Sequence, residues 1–319
     1  MVDFVERRCG GLCRGLGVLG IAVVTAACSA PAVSAPPPST GEPAVNRTDP
    51  ARALVTPTGV VTEVLGGEPG AWQVRTPCGN TATVARGRPV SEATVVLDPG
   101  HGGRETGAVG ADGLLEANVN LAVADAARGA LEAEGITAVL TRTADYQMTL
   151  AGRAALATAL RPKAVVSVHH NGGPSEPSPR PGTETYYQHA SADARRLAGL
   201  VYEETVGFFS RYPGVSWRAT ATPGAKPQLN QDGGDFFGIL RRTAGVPAVL
   251  SEALFISASA GESRLLTRSD VQRGEGEAIA RAVVRFLRTD APGSGFVDSK
   301  PRGPEGPTPH PPCVDPPLE

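Results

Sequence analysis

Val95-Val96-Leu97-Asp98-Pro99-Gly100-His101-Gly102-Gly103 is the stretch on which the reading of this chain turns. Its first three residues, preceded by Ala93-Thr94, form a short apolar run of the kind that makes a strand buried on both faces. The run ends at Asp98-Pro99, and the glycines around His101 let the backbone bend sharply and let a bulky group come close. A second stretch has the same design. Val165-Val166-Ser167-Val168-His169-His170-Asn171-Gly172 carries an apolar strand, Ala164 to Val168, into another histidine-bearing loop. The chain has five histidines, at 101, 169, 170, 189 and 310. Three of them stand at these two strand ends, which scattered surface histidines would not do; His189 and His310 read as surface residues.

Outward from these strands, the pattern alternates. Glu116 to about Glu134 places Val119, Val123, Ala126, Ala127 and Leu131 at helical spacing and stops at Gly135. Ile136 to Leu140 reads as a strand, and Leu150 to Leu160 as a helix halted by Pro162. Further helices are expected over Ala192 to Phe209 and Glu262 to Leu287, with the strand Ala248 to Leu250 between them. Alternating strands and helices predict a single α/β catalytic domain over residues 93–290, its central sheet mostly parallel and flanked by helices. In such sheets function collects at the C-terminal ends of strands. Residues 53–92 hold β-type runs, among them Trp72 to Arg75 and Thr81 to Val84, and predict a small hairpin or three-stranded appendage too small to stand alone.

The two ends of the chain read differently. Arg7, Arg8 and Arg14 precede an apolar run from Leu16 to Ala27, the layout of an export signal over residues 1–27. That run is too short for a comfortable bilayer anchor. It closes on Val24-Thr25-Ala26-Ala27-Cys28, which resembles the lipobox of bacterial lipoproteins. Lipidation of Cys28 would anchor the protein to a membrane; plain cleavage after Ala27 is the alternative. Residues 28–52 are rich in Pro, Ser and Ala and read as a tether, and the Pro-rich residues 291–319 as a disordered tail. Cys78 and Cys313 remain as an even pair in an oxidising compartment, either joined as a disulfide or left as two thiols. A net charge of −2 gives no basic field for nucleic acid, so function must be sought in a site. A monomer in the cell envelope or periplasm is the expectation.

Glu116 opens the long helix, where a carboxylate is ordinary as a dipole partner. With the strand-end histidines it completes a set of two His and one carboxylate, the ligand number of a catalytic zinc site that leaves a fourth position to water. Metal-assisted hydrolysis also needs a group to move the water's proton to the leaving amine. The apolar run Pro247-Ala248-Val249-Leu250-Ser251-Glu252-Ala253-Leu254-Phe255 carries one carboxylate, costly to bury for structural reasons alone. Glu252 is therefore the candidate proton shuttle, against the plainer reading of an ion pair with Arg241 or Arg242.

Taken together these pieces resemble the zinc-dependent N-acetylmuramoyl-L-alanine amidases of the type 3 family, over about Ala93 to Arg288. The resemblance is carried by Leu97 to Gly103, the Gly-x-x-Glu-x-x-x-Asn run from Gly113 to Asn120, Thr141-Arg142 with Asp145, Leu150 and Arg153, then Ser167 to Asn171, and Leu240-Arg241 leading to Glu252. It implies zinc ligands His101, Glu116 and His169, an acid–base role for Glu252, and peptidoglycan as substrate. The bond cut would be the amide between the muramic acid lactyl group and L-alanine. Its alignment at Ser167-Val168 favours His169 over His170 as ligand, and neighbouring strand residues point to opposite faces, so the two are not expected to bind one metal together. His170 is left to line the groove or to serve as a hydrogen-bonded structural residue. Asp98 is expected to orient a ligand histidine or merely to form a turn; Asn171 and Arg241 are expected near the substrate. The family usually has a small residue at 170 and Gly at 254, where this chain has His and Leu. No amphipathic helix stands between Ser210 and Leu229, so the groove is expected to be open. A peptidase cutting within the stem peptide, or a non-catalytic wall-binding protein of the same fold, are the rival readings.

Overall fold

In the computed structural model, which describes residues 50–303 and 311–319, both histidine-bearing stretches are neighbouring strands of one sheet. The signal segment, Cys28, residues 28–49 of the tether and His310 lie outside the described residues. The first strands are β1 (Ala53–Val55), β2 (Val61–Gly66), β3 (Trp72–Arg75), β4 (Thr81–Val84) and β5 (Arg88–Val90). They form a five-stranded antiparallel sheet in the order β4-β3-β2-β1-β5, larger than the expected hairpin or three strands. Short runs such as Arg88–Val90 carry too little periodicity to be read as strands beforehand.

The main domain follows as β6 (Val95–Pro99), α1 (Glu116–Ala133), β7 (Ala138–Leu140), α2 (Leu150–Ala159), β8 (Ala164–Asn171), β9 (Glu176–Ser178), β10 (Glu184–Tyr187), α3 (Ala192–Phe209), β11 (Trp217–Ala219), β12 (Gly224–Lys226), α4 (Gly238–Arg242), β13 (Ala248–Phe255), α5 (Ala260–Leu266) and α6 (Ser269–Arg288). Six strands make the central sheet in the order β12-β10-β13-β8-β6-β7. Every pairing is parallel except β10 with β13, so the sheet is mostly parallel, as expected. The single helix expected over Glu262 to Leu287 is two, α5 and α6, because the turn at Thr267-Arg268 interrupts it.

Alternation along the strands sorts the core into two layers. Val95, Leu97, Val166, Val168 and Val249 face α1, α3 and α6, while Val96, Val165 and Leu250 face α2 and α4. Ala53 and Val61 belong to this second layer, so the small sheet packs onto the main domain on the α2 and α4 side. The same alternation sends Asp98, Ser167, His169 and Glu252 to the α2/α4 face and His170 to the opposite one. Residues 311–319 are packed where they are described: Cys313 is joined to Cys78, Leu318 sits against Leu54, Trp72, Val74 and Val84, and the expectation of a disordered tail is corrected there. Among the described residues no helix is long and apolar enough to cross a membrane.

Candidate metal centre

His101, Glu116 and His169 come from three elements and meet at the C-terminal end of the sheet. Each offers one ligand atom, and these atoms all lie within 4.8 Å of one another. Glu116 Oε1 is 3.2 Å from His101 Nε2 and 3.1 Å from His169 Nδ1. Bonds of about 2.0–2.1 Å to a tetrahedral ion put ligand atoms about 3.3–3.4 Å apart, close to the two distances from Glu116, so the three residues could hold such an ion. The second carboxylate oxygen accepts from Ala108 N at 2.8 Å, which fixes the orientation of the group.

The loop geometry is specific to this convergence. His101 has φ of 61°, a left-handed backbone rare outside glycine and typical of functional sites when present. A Cβ on Gly100 would sit 2.1–2.5 Å from the His169 ring. A Cβ on Gly107, where φ is +71°, would sit 2.5 Å from Glu116 Oε2 and 2.6 Å from His101 Cδ2. Gly107 escaped the sequence reading because nothing in a lone glycine says what it faces.

The electrostatics follow from the same contacts. Burial opposes charge on Glu116, yet the two histidines outweigh it and hold the carboxyl well below its usual range. Burial likewise opposes the charged form of His101, but Glu105, 3.3 Å from Nδ1, and Glu116 raise it to about 9. His169 is lowered by burial and by the neighbouring His101, against the pull of Glu116.

Glu252 is the cross-strand partner of His169 on β8 and of Glu184 on β10, so all three lie on one face. Its Oε2 is buried with no hydrogen-bond partner. Burial first, then the charges of Glu116 and Glu184, push its carboxyl well above the usual range. No ion pair links it to Arg241 or Arg242. Arg241 instead donates to the carbonyls of Asp235 and Phe236, the latter at 2.9 Å, and so buttresses the loop that carries Phe236 into the groove.

Asp98 does not reach a histidine ring. Its carboxylate accepts from Thr141 Oγ1 (2.6 Å), Ser167 Oγ (2.7 Å) and Arg153 Nη1 (2.9 Å), and Arg153 in turn donates to Pro99 O and His101 O. Burial alone would raise Asp98; the Arg153 charge and these donors hold it below its usual value. The pair therefore pins the backbone of the His101 loop. His170 does not line the groove. It is buried on the other face, with Nδ1 2.8 Å from Asn120 Oδ1 and Nε2 3.2 Å from Glu275 Oε2. Asn120 Nδ2 reaches Glu116 Oε1 and Gly100 O, so the His170 ring steadies the centre through Asn120, while its backbone N–H donates to Glu116 Oε1 at 3.2 Å. Asn171 Nδ2 donates to Glu184 Oε2 at 2.9 Å. Glu184, fully buried with Lys226, Thr220 and Tyr186 also on its carboxylate, was not singled out in the sequence. Its run, Glu184-Thr185-Tyr186-Tyr187, lacks the apolar pattern that marks a buried strand.

A cavity of about 590 Å³ opens over this face and is lined by His101, His169, Glu252, Arg153 and Phe237. Residues 210–229 hold β11 and β12 and no helix. The groove is nonetheless not open on every side, because Pro311 and Cys313 also line it.

An α/β sheet with His101 and His169 at its strand ends, Glu116 at the start of α1 and the half-buried Glu252 beside them could hold a metal ion and has the layout of a hydrolase site. Residues 95–285 match the family described as N-acetylmuramoyl-L-alanine amidase, and the chain belongs to that family. It is 33% identical over 218 residues to the uncharacterized protein YqiI of Bacillus subtilis, a match covering 66% of this chain and 95% of that protein. It is 32% identical over 203 residues to the N-acetylmuramoyl-L-alanine amidase LytC of the same organism, covering 63% of this chain but 36% of LytC. Among solved structures, the amidase AmiC2 of Nostoc punctiforme superposes with a TM-score of 0.50 at 31% identity, over 61% of this chain and 96% of that one.

Proposed function

We propose that this protein is a zinc-dependent N-acetylmuramoyl-L-alanine amidase, cutting the amide that joins the muramic acid lactyl group to L-alanine in peptidoglycan. The observation that carries the reading is the meeting of His101, Glu116 and His169 within 4.8 Å, with Glu252 on the adjoining strand of the same face. Two imidazoles and one carboxylate are a donor set suited to zinc, with His101, Glu116 and His169 as the ligands. Zinc bound there supplies Lewis-acid polarisation of the scissile carbonyl and a lowered pKa for the attacking water.

The chain's own groups do the rest. Glu252 takes the water's proton and returns it to the leaving L-alanine amine; it stands beside His169 on the same face, and burial raises its carboxyl above the usual range, which favours holding a proton between the two steps. Asp98 and Arg153 hold the His101 loop, and Asn120 holds Glu116, so the ligands need not reorganise when substrate arrives. Action on peptidoglycan places the work outside the cytoplasm, which suits export on residues 1–27 and, as the finer reading, a lipid anchor on Cys28.

Digestion of purified peptidoglycan followed by mass analysis tests the reading. Free stem peptides with an intact L-alanine amine are expected, in step with zinc content. Shortened stems would reassign the protein as a peptidase, and no release would leave it a wall-binding protein.

A further inference from the structure

Residues 311–319 are fastened more firmly than a loose Pro-rich stretch needs. Cys313 is bonded to Cys78, 235 positions earlier. Asp315 accepts from Thr76 Oγ1, Cys78 N and Asn80 Nδ2, each at 2.8 Å. Thr58 Oγ1 donates to Pro317 O at 2.7 Å, and Glu319 Oε1 accepts from Ala85 N at 2.8 Å and Arg86 N at 3.0 Å. These anchors all lie on the small sheet and its turns. The other end of the segment turns toward the catalytic groove: Pro311 and Cys313 stand in its wall, and Gln147 Nε2, itself from the groove, donates to Pro311 O at 3.1 Å. The proline ring stiffens that wall, since its φ is fixed.

The chemistry of the substrate says what such a wall does. In the intact wall the scissile amide hangs from a glycan strand that continues on both sides, and the stem peptide is tied to its neighbours. A strand must lie across the groove with every end running out. A soluble muropeptide has no such ends. Built on the amidase reading above, we infer that residues 311–313 form a substrate-selecting wall, fixed by the Cys78–Cys313 clamp, that favours soluble muropeptide fragments over polymeric peptidoglycan. Specificity of this kind comes from what the groove shuts out as much as from what it holds.

The test compares turnover of intact sacculi with turnover of a purified disaccharide–peptide, using the full chain and two variants. In one, Cys78→Ser with Cys313→Ser and Asp315→Ala frees the strap. In the other, Pro311→Gly trims the wall and leaves every clamp in place, so a folding defect in the first does not decide the matter. Both are expected to raise the ratio of sacculus to fragment turnover, the freed strap by on the order of tenfold. An unchanged ratio in Pro311→Gly together with an unchanged or lower ratio in a folded triple variant overturns the wall. Should the unaltered protein cut neither substrate, the amidase reading fails, and the wall is judged by metal extraction instead. EDTA is expected to strip zinc several-fold faster from the freed-strap variant, and equal rates overturn the inference.

Discussion

His169 and Glu252 are cross-strand partners on β8 and β13, so a metal-binding candidate and a proton-transfer candidate stand side by side with their side chains on one face. Parallel pairing fixes that proximity in the backbone and leaves little to side-chain choice. Glu252→Gln keeps shape and removes the acid–base function. It is expected to retain zinc, to melt no lower than the unaltered protein, and to lose turnover by about 10²–10⁴-fold. Zinc content, melting temperature and hydrolysis measured on one preparation check this, and zinc loss equal to that of His101→Ala would make Glu252 a ligand.

Gly107 has no chemistry of its own, yet a methyl there meets Glu116 Oε2 at 2.5 Å in a backbone conformation L-residues avoid. Gly107→Ala is therefore expected to push the carboxylate off the imidazoles and to weaken zinc binding by about 10–100-fold, the usual cost of disturbing a ligand's support. Titration with a competing chelator reads the affinity. Native affinity would mean that Glu116 is not held where a ligand must be.

Asp98 and Arg153 are a buried ion pair whose work is structural, tying β6 to α2 and to the carbonyls of Pro99 and His101. Arg153→Met strands the Asp98 carboxylate, and removing one partner of a buried pair costs about 3–5 kcal/mol. Denaturant unfolding should show that loss, and zinc affinity should fall with it as the His101 loop loosens. Loss of stability with unaltered zinc affinity would show that the pair does not position the loop.

The parts of this arrangement that were legible in the sequence are those with a local signature. Val95–Leu97 and Val165–Val168 announce buried strands by their apolar runs, and His101 and His169 announce a site by following them. Glu116 and Glu252 were legible because a carboxylate at a helix start and another in an apolar strand each ask for a reason. Glu184 was not, since its burial depends on Lys226 and Thr220 arriving from a separate segment, the lysine to neutralise it and the threonine to donate to it. His170 was open between a groove residue and a hydrogen-bonded structural one, and the face it points to makes it the second. Residues 311–319 read as disordered because Pro-rich composition is silent on long-range fastening; the anchors are an Asp, a Glu and a Cys whose partners lie more than two hundred positions away.

Glu262 supplies a pH test independent of the metal centre. It is fully buried, and its two oxygens accept from Arg218 N and Phe255 N. Burial pushes its carboxyl from the ordinary 4.5 up to about 7, with those backbone donors pulling the other way. A carboxyl raised on folding binds its proton more tightly in the native state. Its contribution is thus fully present below about pH 4.5 and fades as pH rises through 7, by about 3 kcal/mol at most. Glu262→Gln does not titrate, and the amide gives up one of the two acceptors at a cost that does not vary with pH. The stability advantage of the unaltered protein over Glu262→Gln should therefore shrink between pH 5 and pH 8 in paired urea denaturations. Parallel stability curves across that range would mean the carboxylate is already ionised in its buried place, held so by the two backbone N–H groups.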